Sequence, residues 1–207
     1  FVRLMHTQGR ILLGPFRDES ILGVELCVSR SVRNTAALLD AVRGPGVGDT
    51  VIAAPPSSPY IDELGSDPGK LHIGLLDHHP FGGPVHEQCA LAVRNAATLL
   101  ENLGHNVEPG FPQAMADPES ARRFSAMWST NMGAGIKRIS NQLGRELQAS
   151  DVEPVNWAQA EFARSVNGVD YAMALAANVD FRRAVQQWWH DGWDLLLTPT
   201  LGEPPVP

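Results

Sequence analysis

Cysteine is scarce in this sequence. Cys27 and Cys89 are its two occurrences in 207 residues, too few for a disulfide framework, so a reducing cytoplasm is the expected location. Lysine is equally sparse: Lys70 and Lys137 stand among 16 basic residues, which confines any lysine chemistry to two positions. Long apolar runs are missing as well. None approaches the ~20 residues needed to cross a bilayer, and the opening decapeptide, with Arg3, His6, Gln8 and Arg10, has no signal-peptide pattern. A membrane partner is therefore not expected. Positive charge is also in deficit, the net charge being −7. Phosphate backbones are held by clustered Lys and Arg, so nucleic acid is excluded as an expected partner. The pairs Arg122–Arg123 and Arg182–Arg183 read as solvated helix faces.

What is present suffices for a folded core. Hydrophobic residues make up 43% and charged residues 19% of the chain, ordinary for a globular domain. Gly9–Pro15 is a short apolar run between turn formers and predicts a buried strand. A helix is expected from Ser31, with Val32, Ala36, Leu39 and Val42 at helical spacing and Gly44-Pro45-Gly46 as its stop. Gly48–Pro59 reads as an extended surface connector. Leu71–Leu76 predicts a strand, and the helix from Val85 carries Cys89, Val93, Ala96, Leu100 and Leu103 on one face. Gly104 ends it, and Asn106-Val107-Glu108 begins a further strand. Strand–helix–strand units of this kind join parallel strands by a right-handed crossover.

From Asp117 the pattern turns helical. Asp117-Pro118-Glu119 supplies cap, first-turn proline and first-turn acid, followed by Phe124, Trp128, Met132, Ile136 and Ile139 at helical spacing. Ser150–Glu153 has capping-box spacing before Pro154. Asn167 caps another helix, with Tyr171, Ala174, Leu175, Val179 and Val185 inward. Asp194–Thr200 reads as a buried strand. The expected fold is α/β: a mixed β-sheet covered by helices, incomplete at both ends, with a helical block mid-chain. Residues 1–207 are expected to be part of a single domain.

Sites of chemistry are few. His78, His79 and His86, with Asp77 and Glu87, lie near one loop but lack metal-ligand spacing, so loop histidines and no metal are expected. Gly82-Gly83 lacks the flanking residues of a phosphate loop; a small anion-binding protein using that turn is a weaker alternative. Cys89, on an apolar helix face, and Cys27, in a strand-like segment, read as core residues. No Gly-x-Ser-x-Gly occurs, and Ser57-Ser58 is flanked by prolines. No catalytic residue and no cofactor can be assigned.

Several segments, in order along the chain, resemble the amidase signature family. They are Gly9-Arg10-Ile11-Leu12-Leu13-Gly14-Pro15, Val28–Val42, Gly44-Pro45 and Gly48-Asp49. The turn and helix of Gly82–Leu103, Leu103-Gly104-His105, Leu196-Leu197-Thr198-Pro199-Thr200 and Glu203-Pro204-Pro205 complete the set. Met5 and His6 replace a usual Lys-Pro, Arg3 a small residue, and Asn34 an Asp. The helix of Trp128 and the stretch Glu153–Trp157 look closest to nylon-oligomer-type members of that family. The resemblance implies amide hydrolysis by a Ser–cis-Ser–Lys triad. A neutral Lys draws a proton through the cis-Ser from the nucleophilic Ser, and backbone amides stabilise the oxyanion. In the family that triad lies upstream of the position of Gly9, and neither Lys70 nor Lys137 has a matching context, so these residues are expected to be inactive alone and an interior piece of a longer enzyme.

Under that resemblance the expected substrate contacts are Trp128, Ser129, Asn131 and Thr198. Plain core packing of Trp128 with Phe124 and Met132 is the alternative. The expected partner is a small-molecule amide, alongside the remaining half of the enzyme or a second copy of the chain. A non-enzymatic remnant or binding module keeping the fold interior is the alternative function.

Overall fold

The computed structural model describes residues 2–12, 23, 24 and 26–205. They fall into two compact units, Phe1–Asp67 and Pro68–Pro207.

In the first unit β1 (Val2–Arg3) pairs antiparallel with β2 (Val28–Ser29). Helix α1 (Val32–Val42) starts where expected, because the Ser31 hydroxyl accepts the Asn34 N–H at 3.2 Å. Its buried stripe is Thr35, Ala36 and Leu39. Val32, expected inward, is exposed, and Thr35 is buried in its stead because its hydroxyl meets that of Ser29 at 2.7 Å. The expected strand over Gly9–Pro15 is not present in its described part: Gln8 and Gly9 form a turn, and Ile11 makes a single bridge to Arg43. Gly9 gives its carbonyl to Ala53 N–H at 3.1 Å, so this segment is tied down at points and not along a ladder. Residues 13–15 lie outside the described set. The connector to Pro59 is irregular throughout, as its prolines dictate. Its far end is held by Asp40, whose carboxylate accepts the N–H groups of Tyr60 and Ile61 at 2.9 Å each. Desolvation pushes the Asp40 carboxyl up, but those two amides and Arg43 outweigh it and leave the group below the usual carboxylate range.

The second unit is built on three parallel strands in the order β4-β3-β5, with β3 (His72–Leu75) central, β4 (Asn106–Pro109) on one side and β5 (Leu195–Leu197) on the other. Helix α2 (Glu87–Asn102) makes the crossover between β3 and β4 and packs on β4. It starts two residues later than expected, with the His86 ring accepting the Gln88 N–H at 3.2 Å. At its end Gly104 adopts φ 95°, where a side chain would be strained, and its N–H reaches the Glu101 carbonyl at 2.9 Å while His105 N–H reaches Leu100.

Strand alternation sorts the sheet's side chains onto two faces. Ile73 is fully buried on one. On the other, Gly74 has the ring of Trp188 so close that an added Cβ would sit 2.5 Å from it and 2.5 Å from the Gly110 carbonyl. The strand can thus be covered only because residue 74 has no side chain. Leu195 is 47% exposed and Leu196 and Leu197 are half-buried, which corrects the expectation of a buried strand. Among the described residues β5 pairs on one side only.

Helix α3 (Glu119–Leu143) packs against α4 (Pro154–Ala163) and α5 (Gly168–His190). Asp117 takes the first free amide of α3, its carboxylate accepting Glu119 N–H at 3.0 Å. Of the apolar residues at helical spacing, Phe124, Trp128 and Ile139 are exposed and Met132 and Ile136 half-buried, while Met127, Ser129 and Ser140 are buried. The capping box is two residues earlier than expected, Gln148 with Asp151 closing a short 3-10 turn at Ala149–Asp151. Helix α4 opens instead at Pro154 without a side-chain cap. Asn167 caps α5 as read from sequence, accepting Val169 and Asp170 N–H at 2.9 Å each.

Candidate active-site wall

The ends of parallel strands are where α/β folds leave space for ligands, because the connecting chain diverges there. Beyond β5 the backbone runs through Thr198-Pro199-Thr200 and folds back along the start of α2. Two bonds fix that path: Leu76 N–H to the Leu197 carbonyl at 2.9 Å and His86 N–H to the Gly202 carbonyl at 2.8 Å. The result is a groove of about 370 Å³. Cys89, Val93 and Ala96 of α2 form its floor, and Leu197 to Leu201 with Glu203 to Pro205 form its wall. The floor residues follow helical spacing, so the α2 face read from sequence as core lines an open groove at these positions. Cys89, expected in a core, is half-buried here, and Cys27 is half-buried immediately before β2, not within a strand.

The groove is apolar, with hydroxyls at Thr198 and Thr200 and one carboxylate at Glu203. Thr198 is exposed, its hydroxyl donating to the Pro199 carbonyl at 3.5 Å. A surface of this kind can pack an aliphatic chain and offer hydroxyl groups to a polar end. After β3, Asp77 receives Arg94 Nε–H at 2.8 Å and faces His78 at 3.3 Å. The Arg94 bond, with help from His78, holds its carboxyl below the ordinary range. His78 also meets Phe111 edge-on, His79 meets Phe81, and His86 caps α2. The three histidines have separate tasks, and among the described residues no group of three metal-ligating side chains converges.

The other three expected contacts lie on α3. Trp128 is 41% exposed and stacks on Phe124, ring centres 5.6 Å apart. It is not sealed in a core. Ser129 is fully buried and donates to Gln159 of α4, and Asn131 accepts from the Tyr171 hydroxyl of α5 at 3.4 Å. Those two polar residues therefore join helices and do not stand beside Trp128 on one surface. Thr198 lines the strand-end groove, whose lining contains no residue of α3. A separate cavity of about 230 Å³ between α3 and α5 is lined by Phe124, Met127 and Phe181 with Ser120, Arg123 and Asn178. Phe181 is not legible from sequence, because an aromatic among the apolar residues of α5 looks like any core residue.

The amidase family model matches residues 13–207. The chain belongs to the amidase family. It is 37% identical over 205 residues to the 6-aminohexanoate-cyclic-dimer hydrolase of Paenarthrobacter ureafaciens, covering 97% of this chain and 42% of that protein. The hydrolase of the same name from a Pseudomonas strain is 36% identical over 205 residues, with the same coverage of 97% and 42%. A solved structure of a 6-aminohexanoate cyclic dimer hydrolase superimposes with a TM-score of 0.79 at 36% identity, over 85% of this chain and 37% of the other. A bacterial aryl acylamidase of the amidase signature family shares the fold, with a TM-score of 0.69 at 19% identity, over 86% of this chain and 36% of the other. This amidase-family chain thus spans about two fifths of the length of the curated relatives it matches.

Proposed function

We propose that these residues form scaffold and part of the substrate wall of an amide hydrolase. In this reading the Ser–cis-Ser–Lys triad is carried by residues other than these 207, and both compact units belong to one amidase domain. The observation that carries the reading is the 37% identity running through 97% of the chain to an enzyme named for hydrolysing a cyclic amide dimer. That hydrolase's namesake structure has also been solved with substrate bound.

The substrate is a small amide with an aliphatic portion. The apolar floor of Cys89, Val93 and Ala96 excludes water from methylene groups, and Thr198 and Thr200 serve its polar end. Trp128 with Phe124 presents a second aromatic face, and Ser129 and Asn131 act behind it by fixing α3 against α4 and α5. Hydrolysis itself needs a serine oxygen to attack the amide carbon, an amine to leave with a proton, and water to release the acid. The setting is the cytoplasm, in keeping with two free thiols.

The test is direct. Highly purified 207-residue chain should hydrolyse neither an anilide nor a short fatty amide above background. Turnover that a serine-directed phosphonate abolishes would contradict this division of labour.

A further inference from the structure

On the sheet face opposite Ile73, one histidine links β3 to β4 and to the turn that enters β5. His72 is the first residue of β3. Its Nε2 faces the Glu108 carboxylate of β4, and its Nδ1 faces the Gly192 carbonyl at 3.0 Å, on the turn leading into β5. Its backbone N–H donates to the Asp194 carboxylate at 2.8 Å. The ring lies flat on the indole of Trp193, centres 3.9 Å apart and planes 18° apart, and Trp193 stacks in turn on Trp188 of α5 at 4.6 Å.

This arrangement has a consequence in proton counting. A neutral imidazole has one N–H and one lone pair, so it can donate to only one of two acceptors. Here both ring nitrogens meet acceptor oxygens. Both contacts are satisfied only when the ring and Glu108 together hold one proton more than a neutral imidazole beside a carboxylate. A cationic ring over an indole face is favourable in addition.

We propose that His72 is a proton-operated latch: as an imidazolium it ties β3 to β4 through Glu108 and to the turn before β5 through Gly192, and loss of that proton releases one of the two ties. The charged groups acting on the ring are Glu108 and Asp194, both anionic, and the aromatic groups against it are Trp193 with Trp188 behind. The Glu108 bond first, then the Gly192 carbonyl, raise the His72 pKa above its ordinary value of 6.5, against a smaller opposing effect of desolvation. A group whose pKa is raised on folding adds stability that is fully present below its unfolded value. That stability is lost as pH rises through the folded value. The latch therefore loosens on the alkaline side of 6.5. Because β5 leads straight into Thr198, loosening at its start reaches the strand that carries the groove wall. The latch is independent of the amide chemistry proposed above.

The tryptophan stack supplies the readout. In the 207-residue chain, tryptophan fluorescence and the histidine ring resonances are followed from about pH 5.5 to 9. A ring titrating above 6.5 is expected, accompanied by a fluorescence step of the same midpoint. His72→Gln should remove both. Glu108→Gln should move the midpoint down, since a carboxamide can donate to the neutral ring. Glu108 lies half-exposed at a strand edge, so that variant tests the latch even where His72→Gln does not fold. A His72 ring titrating at or below 6.5, a fluorescence step unchanged by His72→Gln, or a midpoint unmoved by Glu108→Gln would each overturn the latch.

Discussion

Gly74 and Asp151 show how single positions set local geometry in the second unit. At Gly74 a methyl group would overlap both the Trp188 ring and the Gly110 backbone. Gly74→Ala must push the tryptophan stack off the sheet or bend β3, an overpacking cost of about 1–3 kcal/mol. Urea unfolding followed by far-UV dichroism should show that loss, with the near-UV tryptophan signal altered as well. Asp151 works by charge. Arg145 grips its carboxylate with two N–H groups at 2.7 and 3.0 Å, and Gln148 N–H adds a third bond at 2.8 Å. The Arg145 bonds first, then the amide, lower the carboxyl from 3.8 to about 2. A lowered folded pKa contributes stability that is present above the unfolded value and lost as pH falls through the folded one. Asp151→Asn should therefore flatten the acid limb of the stability profile between pH 3.8 and about 2, leaving a smaller difference from the wild-type chain at the acid end than at neutral pH.

Several helix starts followed from local chemistry, and a cap variant tests that directly. Asn167 satisfies two free amides of α5 at once. Asn167→Ala should cost about 0.5–2 kcal/mol in chemical denaturation, and Asn167→Asp much less. The starts at Ser31, Asp117 and Asn167 were legible because a short polar side chain before an apolar period has one efficient use there. The β3–α2–β4 unit was legible for a similar reason, since parallel strands need a covered crossover. The buried face of α3 was not. Phe124, Trp128 and Ile139 have the stronger hydrophobic spacing, yet Met127, Ser129 and Ser140 are the residues that α3 buries. Small polar residues can be buried there because each finds a partner: Ser129 at Gln159 and Ser140 at Leu147 N–H, 3.0 Å away. Periodicity records which residues are apolar, and it is blind to such partners. The groove floor at Cys89 and Ala96 was likewise hidden, because a residue lining an apolar groove and one filling a core have the same pattern. His72 could have been found: once β3 and β4 are taken as parallel, their alternation places His72 and Glu108 on one face.

The second unit unites a parallel sheet, a groove where that sheet ends, and a helical layer on α3. We propose that this assembly serves as a wall for amide hydrolysis once a triad faces it. Most directly, the matching segment of the Paenarthrobacter 6-aminohexanoate-cyclic-dimer hydrolase would be replaced by these 207 residues, and amide hydrolysis by the hybrid measured. Turnover of 6-aminohexanoate amides or related aliphatic amides is expected, lost when the serine proposed as the host's nucleophile is changed to alanine and weakened by Thr198→Ala more for amides with a polar end than for plain aliphatic ones. A hybrid that unfolds cooperatively but hydrolyses none of them would contradict it.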